Sequence, residues 1–208
     1  MKRAECMFLC ALCTWPFAAR AAEGALVVGA QSAASAPSAR NWTVPILHNA
    51  GLMLVMRTGE AWLWPIEFAR FDTPYLGRRY VDAYTRPPLF DARAPVLRWD
   101  HDSLLINVGG HALFGSEAYL SARRCGFSWP GALAFGAVTS TAWEYAIETS
   151  GARPSAQDLV YTPLAGMALG EGRYALWKAA RGAGPWRSLA RGLADPFGEL
   201  ERAAGSPC

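Results

Sequence analysis

Three times between Asp102 and Gly182 the chain repeats one pattern: a capping residue, a long apolar segment, then a break near glycine. Ser103 to Arg124 follows Asp102 or Ser103 and stops before Gly126. Pro130 to Thr149 follows Ser128 and stops at Gly151, and Gln157 to Ala180 follows Ser155. A serine ahead of an apolar run satisfies free N–H groups of a first helical turn, and glycine past its end releases the last turn. Asp158, three residues after Ser155, makes a box-like cap with Asp in place of the usual Glu. Pro163 falls early in that segment and predicts a local kink or a late helix start.

Upstream, Pro45 to Trp64 reads as a first helix whose stretch ILHNAGLMLVM is apolar except for His48 and Asn49. Residues 65–100 hold Pro65, Pro74, Pro87, Pro88 and Pro95, a density that excludes a long helix. Irregular packed structure with a short helix near Tyr80 is expected there. The predicted fold is all-α: a helical domain over 42–181, a compact bundle of about four main helices with short extra ones. A basic amphipathic tail over 182–208, with one short helix from Trp186 to Leu193, completes it.

The N-terminus has the form of a signal peptide over 1–22. Lys2 and Arg3 are its positive start, Cys6 to Ala19 its short apolar run, and Ala19-Arg20-Ala21 its small-residue cleavage site. Residues 23–41, small and polar without periodicity, read as a flexible leader. Export to the periplasm follows as an expectation. Cys125 and Cys208 then remain in an oxidising compartment, where they either pair or stay free.

Hydrophobic residues make up 52% of the chain and charged residues 18%, against a usual charged share of about 25%. That shift implies little water-facing surface, or a surface laid against a membrane. The longest uncharged stretch, Phe127 to Trp143, is marginal for a span, and basic flanks would fall on the wrong side. Membrane association from the periplasmic side, with a lipid or envelope component as partner, fits better. A net charge of +3, without basic blocks, argues against nucleic acid. Oligomeric state is not legible.

Polar residues gather on the three capped segments. Asn107, His111 and Gly115 share one helix face, continued by Tyr119 and Arg123, with Gly109, Gly110, Gly115 and Ala118 inviting close packing. Glu144 and Glu148, at i and i+4 on an apolar helix, repel unless a cation or a shared proton lies between them. Arg123, Arg153, His111 or a bound cation would serve; alternatively Glu144 is paired and Glu148 faces water. Arg153, Ser155 and Asp158 form a loop entering the last helix, where Asp158 has an ordinary first-turn role beside a catalytic one. Thr162, Gly166 and Gly170 make a small-residue stripe, and Glu171 and Arg173 close it.

The ordered run Asp100-x-Asp102, Asn107, His111-Ala-Leu-Phe-Gly115, Tyr119-x-x-Ala-Arg123, WEYAIE, PSAQDL and TPLAGMALGE resembles a bacterial envelope family, domain of unknown function family 3943, over residues 95–178. Ala112 departs from it, since the family often has Pro after the His. The resemblance implies export and carries no activity. Asp102, His111, Glu144, Arg153, Ser155, Asp158, Gly166 and Gly170 also resemble positions of the VanZ-like membrane family, which implies packed helices around one polar centre.

Two functions are consistent with these residues. In the first, a buried His/Glu/Asp network fixes helix register in a structural or accessory envelope protein. In the second, His111, Glu144, Glu148 and Asp158 are catalytic groups of a hydrolase or transferase acting on an envelope lipid or glycan. A His beside carboxylates admits a divalent cation, Zn²⁺, Mn²⁺ or Fe²⁺, without specifying one.

Overall fold

Serine and proline set most helix starts in the computed structural model, which describes residues 40–206 and Cys208. The expected signal peptide, and the leader up to residue 39, lie outside the described residues. Helix α1 (Thr43–Leu63) is followed by a single turn, α2 (Pro65–Phe68), and by α3 (Thr73–Thr85). Asp72 caps α3 by accepting from Tyr75 N, and Pro74 sits in its first turn. The Pro-rich segment thus holds a longer helix than expected, while residues 86–103 stay irregular because Pro87, Pro88 and Pro95 deny it donors.

Next comes a π-helical turn (Leu105–Gly110) running directly into α4 (His111–Arg124). Ser103 opens it by accepting from Ile106 N at 3.3 Å. Helix α5 (Trp129–Ala142) begins at the Ser128 cap and runs into a second π-helical turn (Trp143–Ile147) and a 3₁₀ turn (Glu148–Ser150). Helix α6 (Ala156–Ala179) starts at the Ser155 cap, so the late start is not taken and Pro163 lies within the helix. The tail forms two helices, α7 (Pro185–Ala194) and α8 (Pro196–Ala203), where the sequence indicated one. Among the described residues there is no strand; one parallel bridge joins Leu89 to Ser155 and pins the irregular segment to the entrance of α6. No helix of the described residues is long and apolar enough to cross a membrane.

Helix α4 is the central element, packed by α1, α5 and α6, with eleven of its fourteen residues buried. Its closest approach is to α6. A Cβ on Gly166 would collide with the Gly115 backbone, and one on Gly170 would stand 2.8 Å from Tyr119 Cδ1. The small-residue stripe therefore packs as expected. Gly109 and Gly110 do not: nothing crowds them, and they belong to the π-helical turn. Their low helix propensity eases the widening of that turn.

Because α4 is buried yet polar, its side chains need partners. Ser121 accepts from Asn49 Nδ2 of α1 at 3.1 Å, and Ser116 and Glu117 accept from Arg173 of α6. Arg124, at the helix end, lies 3.0 Å from Asp195 and 2.7 Å from Glu201 in the tail, and Glu201 also meets His48 at 2.6 Å. A disulfide joins Cys125 to Cys208 and ties the tail to the same end.

Candidate functional site

The two widened turns explain how the site is assembled. Each inserts a residue into its helix and re-aims the side chains beyond it, so His111 emerges after one turn and Glu144 lies inside the other. Carbonyls around them find side-chain donors: Tyr161 OH donates to Val108 O at 3.3 Å, Thr149 Oγ1 to Glu144 O at 2.7 Å, and Tyr80 OH to Ala146 O at 2.8 Å. Helix α3 thus braces the second turn.

His111 Nδ1 pairs with Thr162 Oγ1 at 2.9 Å, which leaves Nε2 3.6 Å from Asp158 Oδ2. That gap exceeds a hydrogen bond. Glu144, 1% exposed, reaches the same place from the second turn. Ser155 N donates to its Oε2 at 2.7 Å, and its Oε1 is buried without a fixed donor. The cap at α6 is therefore only half reciprocal. Ser155 Oγ accepts from Asp158 N at 3.2 Å, but Ser155 N goes to Glu144 rather than back to Asp158. One nitrogen or oxygen from each of His111, Glu144 and Asp158 lies within 4.8 Å of the others, so the triad could hold a metal ion.

Asp100 is the hub beside them. It accepts from Asn107 Nδ2 at 2.6 Å, Asp102 N at 3.0 Å and Ser155 Oγ at 2.8 Å. Although burial works against its charge, hydrogen bonds from Asp158, Asn107 and Ser155 hold it below the usual carboxylate range. Asp158 moves oppositely: burial, and the proton it shares with ionised Asp100, push it up to about 9. Burial raises Glu144, and raises Glu148 well above its ordinary value with the Glu144 charge adding to the effect. Asp102 is pushed up to about 6 and Glu60 to about 7, each chiefly by burial. Burial lowers the His111 imidazole to about 4, so it is neutral at pH 7.

Glu148 does not simply face water. It is half-buried, and the nearby Glu144 charge adds to burial in holding its own carboxyl above the usual range. Arg123 is not the partner of either glutamate: its guanidinium grips Glu171 through Nε at 3.0 Å and Nη2 at 2.9 Å, while Tyr119 OH donates to Glu171 at 2.7 Å. Tyr119, Arg123 and Glu171 thus form a second cluster. The reason is axial distance, since twelve residues of helix separate Arg123 from His111 by about 18 Å. Arg153 enters none of the ion pairs found among the described residues, and its Nε is buried without a partner. Glu60 of α1 is a member that sequence reasoning misses; it lies just past the apolar stretch that ends at Met56, beside Arg57, where an acid reads as an ordinary surface residue.

Residues 96–197 match the model of a family described as "Domain of unknown function (DUF3943)". No curated protein and no solved structure matches the chain. The matched stretch contains Asp100, Asp102, His111, Glu144, Glu148 and Asp158, so the acidic centre, Glu60 aside, lies within the shared domain, and residues 96–197 of the chain belong to the DUF3943 family.

Proposed function

We propose that the chain is an exported cell-envelope protein that lies on a membrane surface from the periplasmic side and has a structural or accessory role there. The observation that carries this reading is the outer face of α1, where Ile46, Leu47, Leu54, Val55 and Trp62 are all more than half exposed along one stripe. A contiguous apolar face of this kind marks an interaction or membrane surface. In the tail, Trp186, Leu189 and Leu193 form a second exposed apolar stripe on an arginine-bearing helix, the pattern of an interfacial helix. The Cys125–Cys208 disulfide supports an oxidising compartment.

Fractionation of cells producing the full chain tests it. The protein is expected in the membrane fraction, with its disulfide intact on non-reducing gels, and released by alkaline carbonate. Recovery in the cytosol with free thiols would refute export; recovery as free periplasmic protein would refute the membrane surface.

A second reading, a hydrolase or transferase acting on an envelope lipid or glycan, is favoured by one observation: Glu144 Oε1 has no fixed donor. In this reading His111, Glu144, Glu148 and Asp158 are the acid/base groups. Conversion of labelled envelope lipid or glycan by the purified chain, lost in Glu144→Gln, tests it.

A further inference from the structure

We infer that His111 Nε2, Glu144 Oε1 and a carboxylate oxygen of Asp158 bind one divalent first-row transition-metal ion. The three residues come from separate elements, the start of α4, the widened turn after α5 and the first turn of α6, yet one ligand atom of each falls within 4.8 Å of those of the others. An ion bound tetrahedrally at about 2.1 Å sets its ligands about 3.4 Å apart. His111 Nε2 and Asp158 Oδ2, at 3.6 Å, already stand near that spacing.

The second observation is the state of Glu144. It is 1% exposed, it is held by Ser155 N through one oxygen, and the other oxygen meets no N–H or hydroxyl donor. Its neighbour Glu148 can offer only a proton that it must first acquire. A cation meets that oxygen's need directly.

The surroundings fit. In the tautomer in which Nδ1 donates to Thr162 Oγ1, 2.9 Å away, the Nε2 lone pair is free for a cation, the outer-shell arrangement of a metal-bound imidazole. Ser155 Oγ, which caps Asp158 N at 3.2 Å, is itself held by Asp100 Oδ2 at 2.8 Å and fixes the turn that carries the ligand. No arginine or lysine pairs with the three ligands among the described residues. One imidazole with two carboxylates suits Zn²⁺ or Mn²⁺ better than Ca²⁺ or Mg²⁺, which prefer all-oxygen shells. The inference goes beyond the envelope reading and does not depend on where the protein resides.

The test uses the purified full chain, stripped with EDTA and titrated calorimetrically with Zn²⁺ or Mn²⁺ alone, with Mg²⁺ and Ca²⁺ for comparison. One transition-metal ion per chain is expected, with affinity falling at least about tenfold in Glu144→Gln and in Asp158→Asn, and unchanged in Glu171→Gln. The chain has three histidines, so ¹⁵N-imidazole NMR of the unsubstituted protein reads the site even where a variant fails to fold. Zn²⁺ should shift the His111 signal and leave those of His48 and His101 in place. Absence of stoichiometric binding, a shift at His48 or His101 instead, or wild-type affinity in both folded variants would overturn the assignment.

Discussion

The two ends of α4 handle buried charge in opposite ways. At its C-terminal end arginines meet carboxylates: Arg123 with Glu171, and Arg124 with Asp195 and Glu201. At its N-terminal end carboxylates meet carboxylates: Asp100 beside Asp158, and Glu144 beside Glu148. Both ends are largely buried, so both carry the desolvation cost of ionisation. The first offsets it with ion pairs and gains a fixed geometry. The second can offset it only with protons or with a cation. Paired charge holds the fold; surplus acid, gathered by widened turns that a plain helix would not need, marks the place where the fold has been arranged around something else.

The sharpest way to break this comparison is Arg124→Ala. It removes the buried guanidinium 3.0 Å from Asp195, which is fully buried and keeps only Arg202 at 3.7 Å, and should cost about 3–5 kcal/mol, the scale of a broken buried pair. Thermal unfolding should show a drop of roughly 10 °C. Glu144→Gln in EDTA-stripped protein should change stability by less than about 1 kcal/mol, because the amide oxygen still accepts from Ser155 N and no counter-charge is stranded. Equal losses in the two variants would erase the distinction between the ends.

The second test is pH. A carboxyl whose pKa rises on folding keeps its proton after the unfolded chain has released it. For Glu60 the window runs from 4.5 to about 7, and for Asp158 from 3.8 to about 9, so across each window stability falls as pH rises. His111 works the other way: its pKa drops from 6.5 to about 4, so its neutral burial costs stability as pH falls through that range. The carboxyls outnumber it. EDTA-stripped protein should therefore melt higher at pH 5 than at pH 8, by roughly 5 °C or more. A melting temperature that rises monotonically from pH 5 to pH 8 would contradict the surplus-acid account.

Between the two ends lies the crossing of α4 and α6, and Gly166→Ala sharpens the comparison by loosening both at once. The added methyl would meet the Gly115 backbone, which belongs to the other helix and cannot rotate away. The cost should be about 1–3 kcal/mol, as for overpacking elsewhere. Calorimetric unfolding should show it, and metal affinity should fall too, since Thr162 and His111 flank the crossing.

How far the sequence reveals this arrangement depends on the range of each interaction. Caps are local, so Ser103, Ser128 and Ser155 locate three helix starts. The meeting of His111, Glu144 and Asp158 is legible because each stands out as ionisable in a small or apolar setting. The widened turns are not: Gly109 and Gly110 signal the first, but glycine in a helix signals close packing equally well, and nothing local separates the two. Glu60 comes from α1, across a gap that no short-range pattern encodes. The second helix of the tail hides behind Pro196, which marks a break but also suits a first helical turn.

The smallest expected effect is Glu171→Gln. Glu171 is bonded to Arg123 and Tyr119, so by its contacts alone it is held as firmly as Asp195. Its side chain, however, is 45% exposed where that of Asp195 is fully buried. Water therefore solvates the Glu171 side when the pair is broken, and Arg123, itself only 15% exposed, keeps Phe127 O and the Tyr174 ring as neighbours. The loss should stay within about 1 kcal/mol, the range of exposed ion pairs. A double-mutant cycle of Arg123 and Glu171 should return a coupling of that size and shrink it further in high salt. A coupling as large as that between Arg124 and Asp195 would mean that burial does not rank these pairs, and the contrast between the ends of α4 would lose its physical basis.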